Sequence, residues 1–339
     1  MRFENRENSV NLEEKVFEID RGRLEKGGWL WWFWLFFIDN PDEVEKPRQL
    51  AILWSRKDEK SITCNDKRFK FEDANNGNLE GVVASWYFDG KGMNHNFLLE
   101  KSDLEIDSSS LETGGETPTS FHINGERCKV EIGNDFHFSA EPRDEYDFAI
   151  NSRTSKQYPL GLNYSMLRSN RLDLESEIKG EAVTGSAYFQ RVFVNAPTPS
   201  WYWGIFHFEN GGFLDYYKPY ILGKSLKKEI VFYDGQRNHQ FFDIDVKVGD
   251  GGNLSPFQIS AEKKESDKEI KFIVKPYSKT SWKFEKKIAK IIPNKLTYRQ
   301  YPAKISKLEL VDREKDRKVT LNDLGSSIGN AEHTTGLLL

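Results

Sequence analysis

The run Trp29 to Ile38, WLWWFWLFFI, holds ten consecutive apolar residues and no charge. A membrane-spanning helix needs about 20 such residues, and Asp39 and Asn40 end this run abruptly, so it cannot cross a bilayer as a helix. Gly27-Gly28 before it and Asn40-Pro41-Asp42 after it are turn chemistry, which predicts a buried strand with Gln49 to Ser55 as its returning partner. Trp29, Trp31, Trp32 and Trp34 place rings on both faces, because successive strand side chains point to opposite sides. One face is expected to fill a barrel and the other to pack against a second domain or a ligand. The alternative is an interaction protein in which both barrels are filled by side chains and the aromatic strands make a subunit or peripheral membrane contact.

The rest of the chain follows the same grammar. Phe, Tyr and Trp make up 14% of the residues, and rings suit a pleated sheet better than a helix. Val82 to Phe88 and Met93 to Glu100 flank Asp89-Gly90-Lys91-Gly92 as a hairpin. In FHINGERCKVEI, Asn124-Gly125 supplies the positive φ angles of a tight two-residue turn. Leu172 to Ile178 and Val183 to Val194 are separated by Lys179-Gly180, and Trp201 to Phe208 and Phe213 to Tyr220 by Glu209 to Gly212. Further strands are predicted at Gln240–Val248, Phe257–Glu262, Glu269–Lys275, Ser281–Lys286, Leu296–Tyr301 and Ile305–Val311. Helical periodicity is scarce, and short strands at such spacing define an all-β sandwich or barrel class. A chain of 339 residues suits two domains. Trp86-Tyr87-Phe88 before an Asp-Gly turn echoes Trp201-Tyr202-Trp203 before an Asn-Gly turn, which points to two related β domains. The polar stretch Asn151 to Leu162 predicts a boundary near residue 168, giving domains 1–168 and 169–339.

Composition excludes several functions. Lys and Arg total 49 against 53 Asp and Glu, with no basic block to follow phosphates, so no nucleic acid partner is expected. Cys64 and Cys128 are too few and too far apart for a disulfide framework or a Cys-rich zinc site, and both read as small buried side chains. The histidines form no H-x-H or H-x-x-x-H pair, so no metal site is expected. There is no G-x-S-x-G elbow, P-loop or dinucleotide glycine motif, and a cofactor-free protein is expected. The N-terminal MRFENRENSVNLEEK lacks the apolar core of a secretion signal, so a cytoplasmic location is expected.

From Asn163 to Tyr217 the order of motifs resembles the lipocalin-like superfamily of the carotenoid 1,2-hydratases (hydroxyneurosporene synthases), the AttH-type proteins and, more distantly, tocopherol cyclase. The matching residues are Tyr164-Ser165, Gly185-Ser186-Ala187-Tyr188 for the family's G-x-A-W, Trp201-Tyr202-Trp203 for its W-x-W, and Asn210-Gly211 for its D-G turn. Gly329 to Gly336, GNAEHTTG, is similar to the closing G-x-x-x-E-x-T-G strand, one residue out of step. The resemblance implies two lipocalin-like antiparallel β-barrel domains packed together around an apolar pocket for an isoprenoid- or lipid-like molecule, which the protein would bind and isomerise, cyclise or hydrate. Hydratases of the family carry Asp-His-x-Trp directly after G-x-A-W, where this chain has Gln190-Arg191-Val192-Phe193. A guanidinium stays charged and is a poor general acid, so Arg191 cannot take over the imidazole's role; pairing with an acidic head group is its alternative, in a carrier or sensor.

The acid and base candidates that remain are Asp215 and His207, on either side of the Asn-Gly turn. A two-residue Asn210-Gly211 loop sends Asp215 to the face opposite His207. A three-residue Glu209-Asn210-Gly211 loop with a bulge pairs Phe208 with Gly212 and gathers Trp201, Trp203, His207, Asp215 and Tyr217 on one face. Candidate ligand contacts are Trp201, Trp203, Tyr216 and Tyr217, with Tyr188, Trp86 and Trp31 from the earlier aromatic strands. Glu332 and His333 could set a carboxylate and an imidazole at a barrel mouth, although closure of the last strand would also explain Glu332. A carboxyl buried among rings would stay protonated, able to protonate an alkene while ring faces stabilise the cation.

Overall fold

The computed structural model describes residues 15–24, 27–40, 43, 45–71, 79–143, 152–157, 163–195, 198–221, 223–226, 228–249, 252, 254–263, 267–288 and 292–337. The expectations drawn from residues 1–14 and from most of the polar stretch near 151–162 lie outside them. The chain divides into two compact units, residues 1–63 with 67–196 and residues 64–66 with 197–339.

The strands of the first unit are β1 (Trp29–Ile38), β2 (Arg48–Lys57), β3 (Ser61–Cys64), β4 (Lys67–Lys70), β5 (Leu79–Phe88), β6 (Met93–Ile106) and β7 (Ser110–Thr113). They continue with β8 (Thr119–Asn124), β9 (Arg127–Ile132), β10 (Phe136–Glu141), β11 (Ser152–Gln157), β12 (Asn163–Ile178) and β13 (Glu181–Asn195). The hydrogen-bonded order is β10-β9-β8-β7-β6-β5-β2-β1-β13-β12, and β12 pairs back to β10, which closes an antiparallel barrel and leaves that circuit no open edge. This closure moves the boundary expected near residue 168 to 196/197: β12 and β13 are the strands that complete the first barrel, and they cannot open the second. Two turns are locally encoded. Lys179 and Gly180 both have positive φ (51° and 80°) and join β12 to β13, as a tight two-residue turn requires. In the β8–β9 hairpin the loop is Gly125-Glu126, one residue later than Asn124-Gly125, because Asn124 pairs with Arg127 and Gly125 takes the positive φ.

Rings pack against one another through the middle of this barrel. Phe36 stacks on Phe138 at 4.0 Å, and Trp34 lies 4.7 Å from Phe189 and 5.2 Å from Phe121, all buried. Residues 15–24 also contribute to this core. Phe17 sits 5.0 Å from Phe121, and the Trp32 indole donates to the Val16 carbonyl at 2.7 Å. The resemblance implies an apolar pocket; among the described residues the central rings of this barrel meet one another and fill the space. A depression of about 550 Å³, walled by the core-side rings of Tyr87, Phe97 and Phe136, opens to solvent at one end of the barrel.

The second unit contains β14 (Ser200–Phe208), β15 (Phe213–Ile221), β16 (Lys224–Ser225), β17 (Glu229–Tyr233), β18 (Asn238–Phe241) and β19 (Ile244–Val248). It continues with β20 (Phe257–Lys263), β21 (Lys268–Pro276), β22 (Thr280–Ile288), β23 (Ile292–Asp312), β24 (Arg317–Thr320) and β25 (Ser327–Leu337). The antiparallel path runs β18-β17-β15-β14-β25-β23-β21-β20-β19. Its two end strands send Phe241 and Ile244 into one core with Phe206, Tyr216, Phe272 and Leu310, so the sheet wraps around a single apolar interior, again filled by side chains. Two sequence expectations change here. Gln240–Val248 breaks into β18 and β19, whereas Leu296–Tyr301 and Ile305–Val311 merge into β23 through Pro302. The long strand accommodates Pro302 where its edge changes partners, between the last β22 pair, Thr280 with Gln300, and the first β21 pair, Pro276 with Ala303, so no ladder partner on that side requires the missing N–H. No helix among the described residues is long and apolar enough to cross a membrane.

Candidate functional site

The β14–β15 turn takes the three-residue form. The Phe208 N–H donates to the Gly212 carbonyl (2.9 Å), the Gly211 N–H to the Phe208 carbonyl (3.0 Å), and the Asn210 side-chain oxygen accepts from the Gly212 N–H (2.9 Å). Gly211, at φ +92°, occupies the left-handed position that a bulged loop of this length needs. His207 therefore pairs with Phe213, Ile205 with Asp215 and Trp203 with Tyr217, so Trp201, Trp203, His207, Asp215 and Tyr217 share one face.

That face continues onto β25 and β23 in rows across the strands. One row reads Asp215, Ile205, Asn330, Pro302. The next reads Tyr217, Trp203, Glu332, Gln300, Thr280, and the one after it Pro219, Trp201, Thr334, Tyr298, Trp282. It is the face opposite the filled interior, since Tyr202, Phe206 and Tyr216 alternate to the core side. Most of it is nevertheless buried, and its more open positions are Trp201, Tyr298 and Tyr217.

Glu332 is the centre of these rows. Its side chain accepts from the Trp201 indole N–H at 3.2 Å and from the Tyr298 hydroxyl. Trp201 and Tyr298 rings lie 5.6 Å apart, and Trp282 stacks on Tyr298 at 5.9 Å. Burial pushes the Glu332 carboxyl up to about 8, against the pull of its two hydrogen bonds, which favours its neutral form at neutral pH. Asp215 accepts from the Trp203 indole at 2.8 Å, which fixes that ring beside Glu332. His207 is buried on the same face, one row beyond Asp215. Among the described residues no group of three or more His, Cys, Asp or Glu is arranged to hold a metal.

The other sequence candidates lie elsewhere. His333 alternates to the core side, away from Glu332; it stacks on Tyr202 at 4.2 Å and meets the Tyr220 hydroxyl at 3.0 Å. Burial, helped by Arg299, pushes its imidazole down to about 4, so the expected pair of Glu332 with His333 at one mouth does not form. Tyr216 points into the core, its hydroxyl buried and far harder to ionise than usual because of that burial. Tyr188 and Trp86 share a row with Leu35 and Ala51 on the outer face of the first barrel, and Trp31 lies on that face between Val192 and Ser55. Arg191 projects to the inner side, where it donates to the Glu18 carbonyl at 2.5 Å and burial lowers its guanidinium to about 10.

Sequence reasoning missed Tyr298, Trp282, Asn330 and Thr334. For the last two the signal was present: Asn330, Glu332 and Thr334 follow the two-residue period of a strand. Tyr298 and Trp282 could be placed beside Glu332 only by the non-local pairing of β22, β23 and β25.

No family model and no curated protein matches the chain. Among solved structures, the fold is similar to that of a putative AttH from Nitrosomonas europaea, with 11% identity, 91% of this chain and 92% of that one covered, and a TM-score of 0.53. It is also similar to CghA, with 9% identity, 92% of this chain and 89% of that one covered, and a TM-score of 0.51. At these identities the likeness is one of fold. It agrees, at the level of fold, with the AttH-type part of the resemblance read from the sequence.

Proposed function

We propose that the protein binds an apolar, isoprenoid- or lipid-like small molecule against the aromatic face of its second unit and acts on it by acid catalysis, with Glu332 as the proton donor. The observation that carries this reading is a buried carboxyl held between an indole N–H and a phenol and surrounded by Trp201, Trp203, Tyr298 and Trp282. A neutral carboxyl can give its proton to an alkene carbon, and adjacent ring faces attract the cation so formed. Loss of a proton from a neighbouring carbon back to Glu332 completes an isomerisation or cyclisation without any co-reactant; capture of the cation by water, whose extra proton returns to the Glu332 carboxylate, completes a hydration. Asp215 acts through Trp203, whose orientation it holds. The protonation role expected of Asp215 and His207 passes to Glu332, the carboxyl that burial keeps neutral.

Organic extraction of purified protein followed by mass spectrometry tests the proposal. Wild-type protein is expected to yield an apolar compound together with its isomer, cyclised form or hydrate. Glu332→Gln, which keeps the shape and loses the acid, is expected to yield the unconverted compound alone. Identical extracts from the two would remove Glu332 from the chemistry, and an intact lipid in both would make the protein a carrier.

A further inference from the structure

The row that holds Glu332 is flanked along β25 by Asn330 and Thr334, both fully buried and both on the same face. Among the described residues, neither the amide oxygen nor the amide nitrogen of Asn330 meets a hydrogen-bond partner, and nor does the Thr334 hydroxyl. Buried polar groups in folded proteins are satisfied in the great majority of cases, and each exception calls for a cause. The ladder itself supplies no partner for the Asn330 side chain. Its neighbours across the ladder are Ile205 and Pro302, whose side chains offer nothing to an amide, and an apolar side chain there would avoid the desolvation cost. Asn330 and Thr334 each lie about 7 Å along the strand from Glu332, from the rise of two extended residues.

We infer that the ligand of this face is not a plain hydrocarbon but an apolar molecule bearing an amide-like group, one that presents a donor and an acceptor side by side, which the Asn330 amide engages about one residue pair from the point of proton transfer. This rests on the reading of the face as the ligand site. An asparagine side chain carries an acceptor and a donor on adjacent atoms, and its complement is a group with the same two functions in reverse order. A carboxylate, which only accepts, would leave the Asn330 oxygen unsatisfied. A ketone or ester would do the same. Thr334, on the other side of Glu332, gives a second polar contact for a longer ligand and leaves the aromatic rings to hold the apolar part.

The test uses two probes of equal chain length, decanamide and decene, titrated into the full-length protein and followed through tryptophan fluorescence. Decanamide is expected to bind wild-type protein about tenfold or more tightly than decene, the ratio that one well-made hydrogen-bond pair supplies. Asn330→Leu is expected to erase that ratio by weakening decanamide alone, and to raise Tm because a buried unsatisfied amide is replaced by an apolar side chain. Equal binding of the two probes to wild type would overturn the inference while leaving the face as a ligand site. An Asn330→Leu protein that is less stable and still prefers decanamide would show Asn330 to be structural, and would also overturn it. Binding of neither probe would instead remove the ligand site, and the inference with it. Asn330→Ala, which removes the amide without adding bulk, is the second variant: it is expected to fold and to lose the preference for decanamide, and a retained preference would overturn the inference.

Discussion

Two adjacent residues of β25, Glu332 and His333, are shifted in opposite directions by the same physical cause. Burial holds the carboxyl neutral up to about pH 8, from an ordinary value of 4.5, and holds the imidazole neutral down to about pH 4, from 6.5. The sign of each contribution to stability follows from which state binds more protons. For Glu332 the folded state does, so its contribution is complete below about pH 4.5 and is lost as pH rises toward 8. For His333 the unfolded state does, so its contribution is complete above about pH 6.5 and is lost as pH falls through 4. The two oppose each other between 4.5 and 6.5, and above 6.5 Glu332 acts alone. Urea unfolding of wild type and Glu332→Gln across this range is expected to show wild-type stability falling between pH 6.5 and 8, and a flatter profile for the variant. Parallel profiles would show that Glu332 titrates normally. At this scale the sequence was only partly informative. It marked Glu332 and His333 as neighbours, but strand alternation, which the sequence also contains, already places them on opposite faces.

At the scale of the element, the site depends on the β14–β15 register. The sequence narrowed it to two registers and could not choose, because Glu209-Asn210-Gly211-Gly212 is compatible with both loop lengths. The choice is made by contacts that a local window does not contain. The Asn210 N–H donates to the Leu324 carbonyl and its side-chain amide to the Asp234 carbonyl, drawing the loop into the three-residue form. Gly204 reveals a second dependence. A Cβ there would stand 2.5 Å from the Tyr216 ring, so the glycine is what lets that ring lie flat on β14 beneath the Glu332 row. Gly204→Ala is expected to destabilise the protein by about 1–3 kcal/mol, the range of overpacked cores. A double variant with Tyr216→Leu is expected to recover part of that loss, which calorimetric melting of the single and double variants would detect. Additive losses would show that the two residues do not press on one another.

At the scale of the whole molecule, the class and most strand positions were legible, because turn residues and apolar alternation are local signals that agree with the final fold. The N-terminal half of the closed barrel follows from the density of rings in Trp29–Ile38, whose Trp32 and Trp34 do turn inward. Two things were not legible. The boundary at 196/197 depends on β12 and β13 returning to β10 and β1, a long-range pairing that no composition shift announces. The filled interiors depend on packing: rings that could line a hollow and rings that close it have the same alternation, and only the distances between Phe36 and Phe138 or Trp34 and Phe189 tell them apart. The proposed chemistry accordingly belongs to the sheet face centred on Glu332 and not to an enclosed barrel cavity. That carboxyl can be observed without knowing the ligand. Infrared difference spectroscopy between wild type and Glu332→Gln isolates its C=O stretch; the protonated band is expected to persist at neutral pH and to disappear with a midpoint near 8, whereas a carboxylate band at neutral pH would contradict the account.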